Sequence, residues 1–260
     1  MDLYLKDKVI IITGGTKGIG GAISRAIAYE GGIPVFIGRN ATDGEKLVQE
    51  LKSDGLKSHF IQADLNEKDA CKNIVEKVLL LKKGIFGLVN NAGRNDGIGL
   101  EHGNPINFAQ SVTENLFHYY EMAHYCLPYL KKSEGNIVNI SSKVALTGQG
   151  GTSGYAASKG AQLALTREWA AELLPYNIRV NAILPAEVMT PLYESWLATF
   201  DHPQEKLNEI VQKIPLGHRM TKAEEIADMA LFLLSKRSAH TTGQLLSPDG
   251  GYVHLDRSLT

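Results

Sequence analysis

Short runs of branched aliphatic residues alternate along the chain with longer stretches whose apolar positions recur at helical spacing. The runs are Val9-Ile10-Ile11-Ile12, Val35-Phe36-Ile37, His59-Phe60-Ile61, Gly87-Leu88-Val89, Asn136-Ile137-Val138-Asn139-Ile140 and Ile178-Arg179-Val180-Asn181-Ala182-Ile183. Between the first two, Ile19, Ile23 and Ile27 stand four apart with Ala22 and Ala26 beside them, which predicts a helix with one apolar face that packs closely on a sheet. Strands separated by such helices predict an α/β fold with a parallel sheet covered on both faces. Right-handed crossovers make it doubly wound, with its ligand crevice at the carboxyl ends of the strands. Residues 190–216 look helical but break the strand rhythm, and are read as an insertion covering the substrate. With no repeat, low-complexity tract or linker to divide it, 1–260 is expected to be a single domain.

Composition narrows the function. Of 260 residues, 43% are apolar, enough for one sizeable core, and a formal net charge of -1 gives no general reason to bind nucleic acid or a membrane surface. Cys71 and Cys126 form no paired motif, so neither a disulfide framework nor a zinc site is expected. His118 and His124 are six apart, on different faces of a helix, and read as packing or interface residues rather than a metal pair. The stretch Met1-Asp2-Leu3-Tyr4-Leu5-Lys6-Asp7-Lys8 lacks the plan of a signal peptide, and no apolar run is long enough to span a bilayer, so a cytoplasmic protein is expected.

The first strand runs into Thr13-Gly14-Gly15-Thr16-Lys17-Gly18-Ile19-Gly20-Gly21, and the amphipathic helix follows. A dinucleotide pyrophosphate needs bare backbone amides at a helix N-terminus, where a β-carbon would intrude. The spacing is Gly-x-x-x-Gly-x-Gly, different from the more familiar Gly-x-Gly-x-x-Gly, and tight strand-helix packing alone also calls for such a turn. After the second strand, where an acidic residue would bind an adenosine ribose, the chain reads Ile37-Gly38-Arg39-Asn40. Arg39, with Lys17, favours NADP over NAD because a guanidinium matches a 2′-phosphate; Arg39 stacked on adenine or simply solvated is the alternative.

Tyr155-Ala156-Ala157-Ser158-Lys159 puts Tyr155 and Lys159 on one helical face. Tyrosine titrates near pH 10, so positive charge beside it is what makes it a base at neutral pH. Ser142, in Ile140-Ser141-Ser142 at a strand end, is placed to hold a substrate oxygen while Tyr155 takes its proton. Ser141 is the neighbouring alternative.

The turn at 13–20, Asn90-Asn91-Ala92-Gly93, Asn115, Ser142 and Tyr155 with Lys159 together resemble the short-chain dehydrogenase/reductase family over essentially the whole chain. The resemblance implies a Rossmann-like fold, a catalytic tetrad of Asn115, Ser142, Tyr155 and Lys159, and a homotetramer paired through the helices at 118–130 and 161–174, with Tyr120 and Trp169 as interface or core. It favours Ser142 over Ser141, since Asn115 stands 27 residues before it and Tyr155 13 after. It also implies cofactor contacts from Gly14, Thr16, Lys17, Gly18, Ile19 and Gly20, from Asp64 and Leu65 at the adenine, and from Asn90, Asn91, Ala92 and Gly93. Pro185, Val188 and Thr190 would follow after the sixth strand, where Ala186 replaces the family's usual glycine.

Polar crevice segments argue for a polyhydroxylated substrate over a steroid or acyl chain. Asn95-Asp96-Gly97-Ile98-Gly99-Leu100, His118-Tyr119-Tyr120, Thr147-Gly148-Gln149-Gly150, the stretch from Pro185 through Glu187 to Tyr193 and the terminal Asp249-Gly250-Gly251-Tyr252-Val253-His254-Leu255-Asp256-Arg257 resemble bacterial L-fucose dehydrogenases within that family. The implied reaction is oxidation of the anomeric hydroxyl of L-fucose, or a similarly configured aldose, to the aldonolactone. Asn95, Asp96, Gln149, Glu187 and Trp196, with Ser142 and Tyr155, are the expected sugar contacts; Glu187 as an exposed loop charge is the plain alternative. A carbonyl reductase or polyol dehydrogenase is the competing activity. A dinucleotide sensor without catalysis is disfavoured by the complete tetrad.

Overall fold

A computed structural model of the chain describes residues 2–81 and 84–255. The ends of the single-domain span 1–260, and with them Asp256 and Arg257 of the terminal string, lie outside the described residues. Among the described residues there are nine strands: β1 (Val9–Thr13), β2 (Ile33–Gly38), β3 (His59–Gln62), β4 (Gly87–Asn90), β5 (Asn136–Ile140), β6 (Arg179–Ile183), β7 (Val188–Met189), β8 (Thr221–Lys222) and β9 (Leu245–Leu246). Seven of them form one parallel sheet in the order β3-β2-β1-β4-β5-β6-β9, and β7 pairs with β8 separately. The two-residue strands β7, β8 and β9 leave no aliphatic run for a sequence reading to find.

Helices α1 (Gly18–Tyr29), α2 (Ala41–Ser53), α3 (Ala70–Leu80), α4 (Pro105–Val112), α5 (His118–Ser133), α6 (Ser153–Glu172), α7 (Pro191–Leu197), α8 (Pro203–Val211) and α9 (Ala223–Leu234) complete the chain. Strand periodicity divides the core in two. Ile10, Ile12, Phe36 and Val89 pack against Ile23 and Ile27 of α1, Leu47 of α2 and Leu233 of α9. Val9, Ile11, Val35 and Ile37 face the other way, onto Ile74 and Val78 of α3, Met122 of α5 and Trp169 of α6. Each such side chain contributes roughly 1.5–3 kcal/mol when fully buried. The sheet is therefore a rigid base for whatever its strand ends present.

Cys71 and Cys126 are free and buried, and burial pushes both thiols upward, so neither supplies a thiolate. Among the described residues, no helix is long and apolar enough to cross a membrane, and no group of three or more His, Cys, Asp or Glu side chains is placed to hold a metal.

Candidate active site

β1 and β4 are neighbours although β2 follows β1 in the chain, so the connections leave their carboxyl ends in opposite directions and open a crevice. A cavity of about 640 Å³ lies there. The turn after β1 forms one wall. Gly14 and Gly18 have φ of +61° and +56°, and a β-carbon on Gly20 would stand 2.2 Å from the Gly14 carbonyl oxygen. Lys17 precedes α1 without a side-chain cap, and the first turn holds no acidic residue, so the helix's leading N–H groups are left for an anion. Asn91 braces the turn: its Nδ2 donates to Thr13 O (2.9 Å) and Gly14 O (3.0 Å), while its own N–H donates to Thr13 Oγ1 (2.9 Å). This narrow, donor-lined cradle fits a dinucleotide pyrophosphate.

The cavity is lined by every residue expected from the sequence to meet the cofactor except Asn90. Asn90 is fully buried and turned inward, donating to Tyr119 O (3.3 Å) and Asn139 Oδ1 (3.1 Å), so it ties β4 to α5 and β5 instead. Where the adenosine is expected, Arg39 pairs with Asp64 (3.8 Å) and Lys17 with Asp43 (3.1 Å). Thr190 caps α7 through Tyr193 N–H (3.3 Å) and abuts Gly18. Ala186 does not adopt a left-handed backbone, so its replacement of glycine brings no strain.

Below the cradle the tetrad residues converge. The two serines separate cleanly: Ser141 is buried and donates to Lys159 O (3.0 Å), whereas Ser142 lines the cavity together with Tyr155. Burial pushes the Tyr155 phenol up to about 12, against the opposing effect of the Ser142 hydrogen bond. Lys159 Nζ stands 5.4 Å from the Tyr155 ring centroid and donates to Ile140 O (2.8 Å) and to the Tyr119 hydroxyl (3.4 Å). Burial brings Lys159 down to about 7. Burial thus disfavours the charged form of both groups.

Asn115 does not line the cavity; it sits behind it, on a π-helical turn (Thr113–Phe117) between α4 and α5. Its Nδ2 takes Ser111 O (2.9 Å), the carbonyl that an α-helical ladder would use, and the ladder widens there. Its Oδ1 accepts from Arg94 N–H (2.8 Å), and its carbonyl accepts from Gln162 Nε2 (2.9 Å). Tyr119 and Gln162 were missed by the sequence reading, although Tyr119 stands four residues after Asn115 on the same side of the helical path. His118 also lines the cavity, which its reading as a packing residue omitted; burial takes it down to about 4, keeping the ring neutral.

The expected sugar contacts are not brought together. Asn95, Asp96, Gln149, Glu187 and Trp196 all lie outside the lining of the 640 Å³ cavity. Asn95 and Asp96 fold back on their own turn, accepting from Gly97 N–H (3.2 Å) and Ile98 N–H (3.3 Å). Gln149 is exposed on a glycine-rich loop, and Trp196 is 43% exposed, edge-on to Tyr193. Glu187 is neither an exposed loop charge nor a cavity wall. One of its oxygens is ion-paired with Lys143, and the other accepts from Tyr193 OH (2.8 Å). Lys143 lies over the Tyr252 ring, 4.2 Å from its centroid. Of these, Lys143 carried no sequence signal beyond following Ser142.

The short chain dehydrogenase family profile matches residues 8–200. L-fucose dehydrogenase of Mus musculus is 36% identical over 251 residues, spanning 96% of this chain and 90% of that protein. A 3-oxoacyl-[acyl-carrier-protein] reductase of Thermotoga maritima is 35% identical over 252 residues, covering 96% of this chain and all of the reductase. The crystal structure of a dehydrogenase designated Cj0485 is 51% identical and superposes with a TM-score of 0.95, covering 100% of this chain and 99% of that one.

Proposed function

Because the chain belongs to the short-chain dehydrogenase family, whose members use a nicotinamide dinucleotide, we propose that it oxidises the anomeric hydroxyl of L-fucose, or of a similarly configured aldose, to the aldonolactone. The observation that carries the chemistry is the meeting of Ser142, Tyr155 and Lys159 below a glycine-walled cradle. Tyr155 takes the proton of the substrate hydroxyl, Ser142 donates to the same oxygen, and Lys159, when protonated, favours the phenolate. A bound oxidised nicotinamide supplies the hydride acceptor and further positive charge. Asn115 acts from behind the cavity by fixing the Arg94 backbone and the Gln162 side chain.

The sugar is supported by the likeness to L-fucose dehydrogenase, and Asn95, Asp96, Gln149 and Trp196 are the residues that loop movement would bring to its outer hydroxyls. NADP is favoured over NAD because Arg39 and Lys17 rim the adenosine end, and their exposed pairs with Asp64 and Asp43 exchange readily for a 2′-phosphate. Tyr120, stacked on His124 at an exposed face of α5 and 6.4 Å from Trp169, supports assembly into a homotetramer through α5 and α6, which light scattering would test. Two reduced thiols accord with the cytoplasm.

A carbonyl reductase is the second reading, favoured by the reductase relative. Nicotinamide absorbance followed over aldoses, polyols and ketones separates the two. Aldose turnover is expected; turnover of ketones alone would replace the sugar reading with the second.

A further inference from the structure

We propose that Lys143, Glu187, Tyr193 and Tyr252 form a clasp that holds α7 over the substrate end of the cleft, with Glu187 as a positioning residue that acts through Tyr193. The four side chains come from four segments: the 3-10 turn after Ser142, the loop after β6, α7 and the turn at 249–253. α7 is capped by Thr190, and the other three are held by bonds of their own. Lys143 N–H donates to Pro185 O (2.9 Å), and Glu187 O accepts from Thr221 N–H (2.9 Å). The turn bearing Tyr252 is fixed by Asp249, whose two carboxylate oxygens accept from Gly251 N–H (2.8 Å) and Val253 N–H (3.0 Å).

The fourth segment, α7, is seven residues long and reaches these anchors through the Tyr193 hydroxyl. The ion pair at the centre is 12% and 13% exposed, which makes it costly to desolvate and geometrically restrictive rather than strongly stabilising. Its consequence is directional. Tyr193, its hydroxyl bonded to Glu187, also lines the cavity, and its ring meets Trp196 edge-to-face with centroids 5.1 Å apart. A ring held this way offers an apolar surface to the C–H face of a sugar whose hydroxyls point elsewhere. The ligand named here rests on the aldose reading; the clasp itself does not.

Two variants test it. Tyr193→Phe removes only the hydroxyl, and Glu187→Gln removes the charge that joins Tyr193 to Lys143. Hydrogen exchange of the α7 amides is expected to quicken about fivefold or more in both, on the order of one lost hydrogen bond, with β5 amides unchanged. The KM for the aldose is expected to rise by about the same factor while kcat moves less than about twofold, the mark of lost substrate binding. The double variant is expected to be no worse than Glu187→Gln alone. Unchanged exchange in both variants, or faster exchange with an unaltered KM, overturns the clasp as a device for substrate closure. If the unmodified protein turns over no aldose, the sugar reading fails, and the exchange result alone then upholds or overturns the hold on α7.

Discussion

At the cradle end the cleft is walled by backbone, and beside α7 by side chains such as Tyr193. The cradle is made by the contiguous stretch 13–20, braced by Asn91, and its shape depends on missing β-carbons at Gly14 and Gly20. Beside α7, Tyr193 is hydrogen-bonded to Glu187, which pairs with Lys143 beside Tyr252; the four are spread over more than a hundred residues, and of them Tyr193 lines the cavity. A backbone wall is read by any ligand with the right charge and shape, and it tolerates no added carbon. A side-chain wall can be altered one residue at a time while the sheet beneath it stays intact. The first suits a cofactor shared by many reactions, and the second suits selection among substrates.

Substitution at the junction of the two ends should divide them most sharply. Tyr155→Phe is expected to lower kcat by roughly 10³-fold, within the range for general acid-base catalysis, while dinucleotide affinity by fluorescence titration changes less than about twofold. Gly20→Ala attacks only the cradle. The new carbon would meet Gly14 O at 2.2 Å, so dinucleotide affinity should weaken at least about tenfold and stability fall by about 1–3 kcal/mol in urea titration. Arg39→Asp leaves the turn intact and should lower kcat/KM for NADP by about tenfold or more, with a smaller effect on NAD.

A fourth test uses the pH dependence of stability. Lys159 in the folded protein titrates near 7, below its ordinary 10.5. Between these values the unfolded chain holds a proton that the folded chain has released, so this group makes stability rise with pH across that interval. Below it the folded protein bears the full cost of the buried charge. Lys159→Met is therefore expected to stabilise the protein by a few kcal/mol near pH 6.5, an advantage that fades towards pH 10.5. Ile140 O keeps the Tyr119 hydroxyl as a donor (2.9 Å). Equal urea midpoint shifts at both pH values would contradict the assigned cost.

The difference between the two ends also explains what could be read from the sequence. Six aliphatic runs, a glycine turn and the spacing from Asn115 to Lys159 are local marks, because parallel strands and backbone cradles constrain neighbouring residues directly. They sufficed for the parallel sheet and for the residues that line the cavity beside the glycine turn. Between Ser141 and Ser142 only the structure shows the physical distinction, one hydroxyl being taken up by Lys159 O. Glu187 reads from the sequence as a sugar contact, whereas the structure pairs it with Lys143 and Tyr193 outside the cavity lining, because Lys143 approaches it through tertiary folding alone. Asn95 and Asp96 show the opposite failure: short polar side chains in a turn bond to their own backbone before they reach a ligand.

The central claim is hydride transfer between a nicotinamide dinucleotide and an aldose with Tyr155 as the base, and initial rates measure it directly. L-fucose, D-arabinose and L-galactose, each with NAD and with NADP, should give turnover that is highest with NADP, rises with pH as the Tyr155 proton is lost, and disappears in Tyr155→Phe. A Tyr155→Phe protein that oxidises these sugars as fast as the unmodified one would contradict the account.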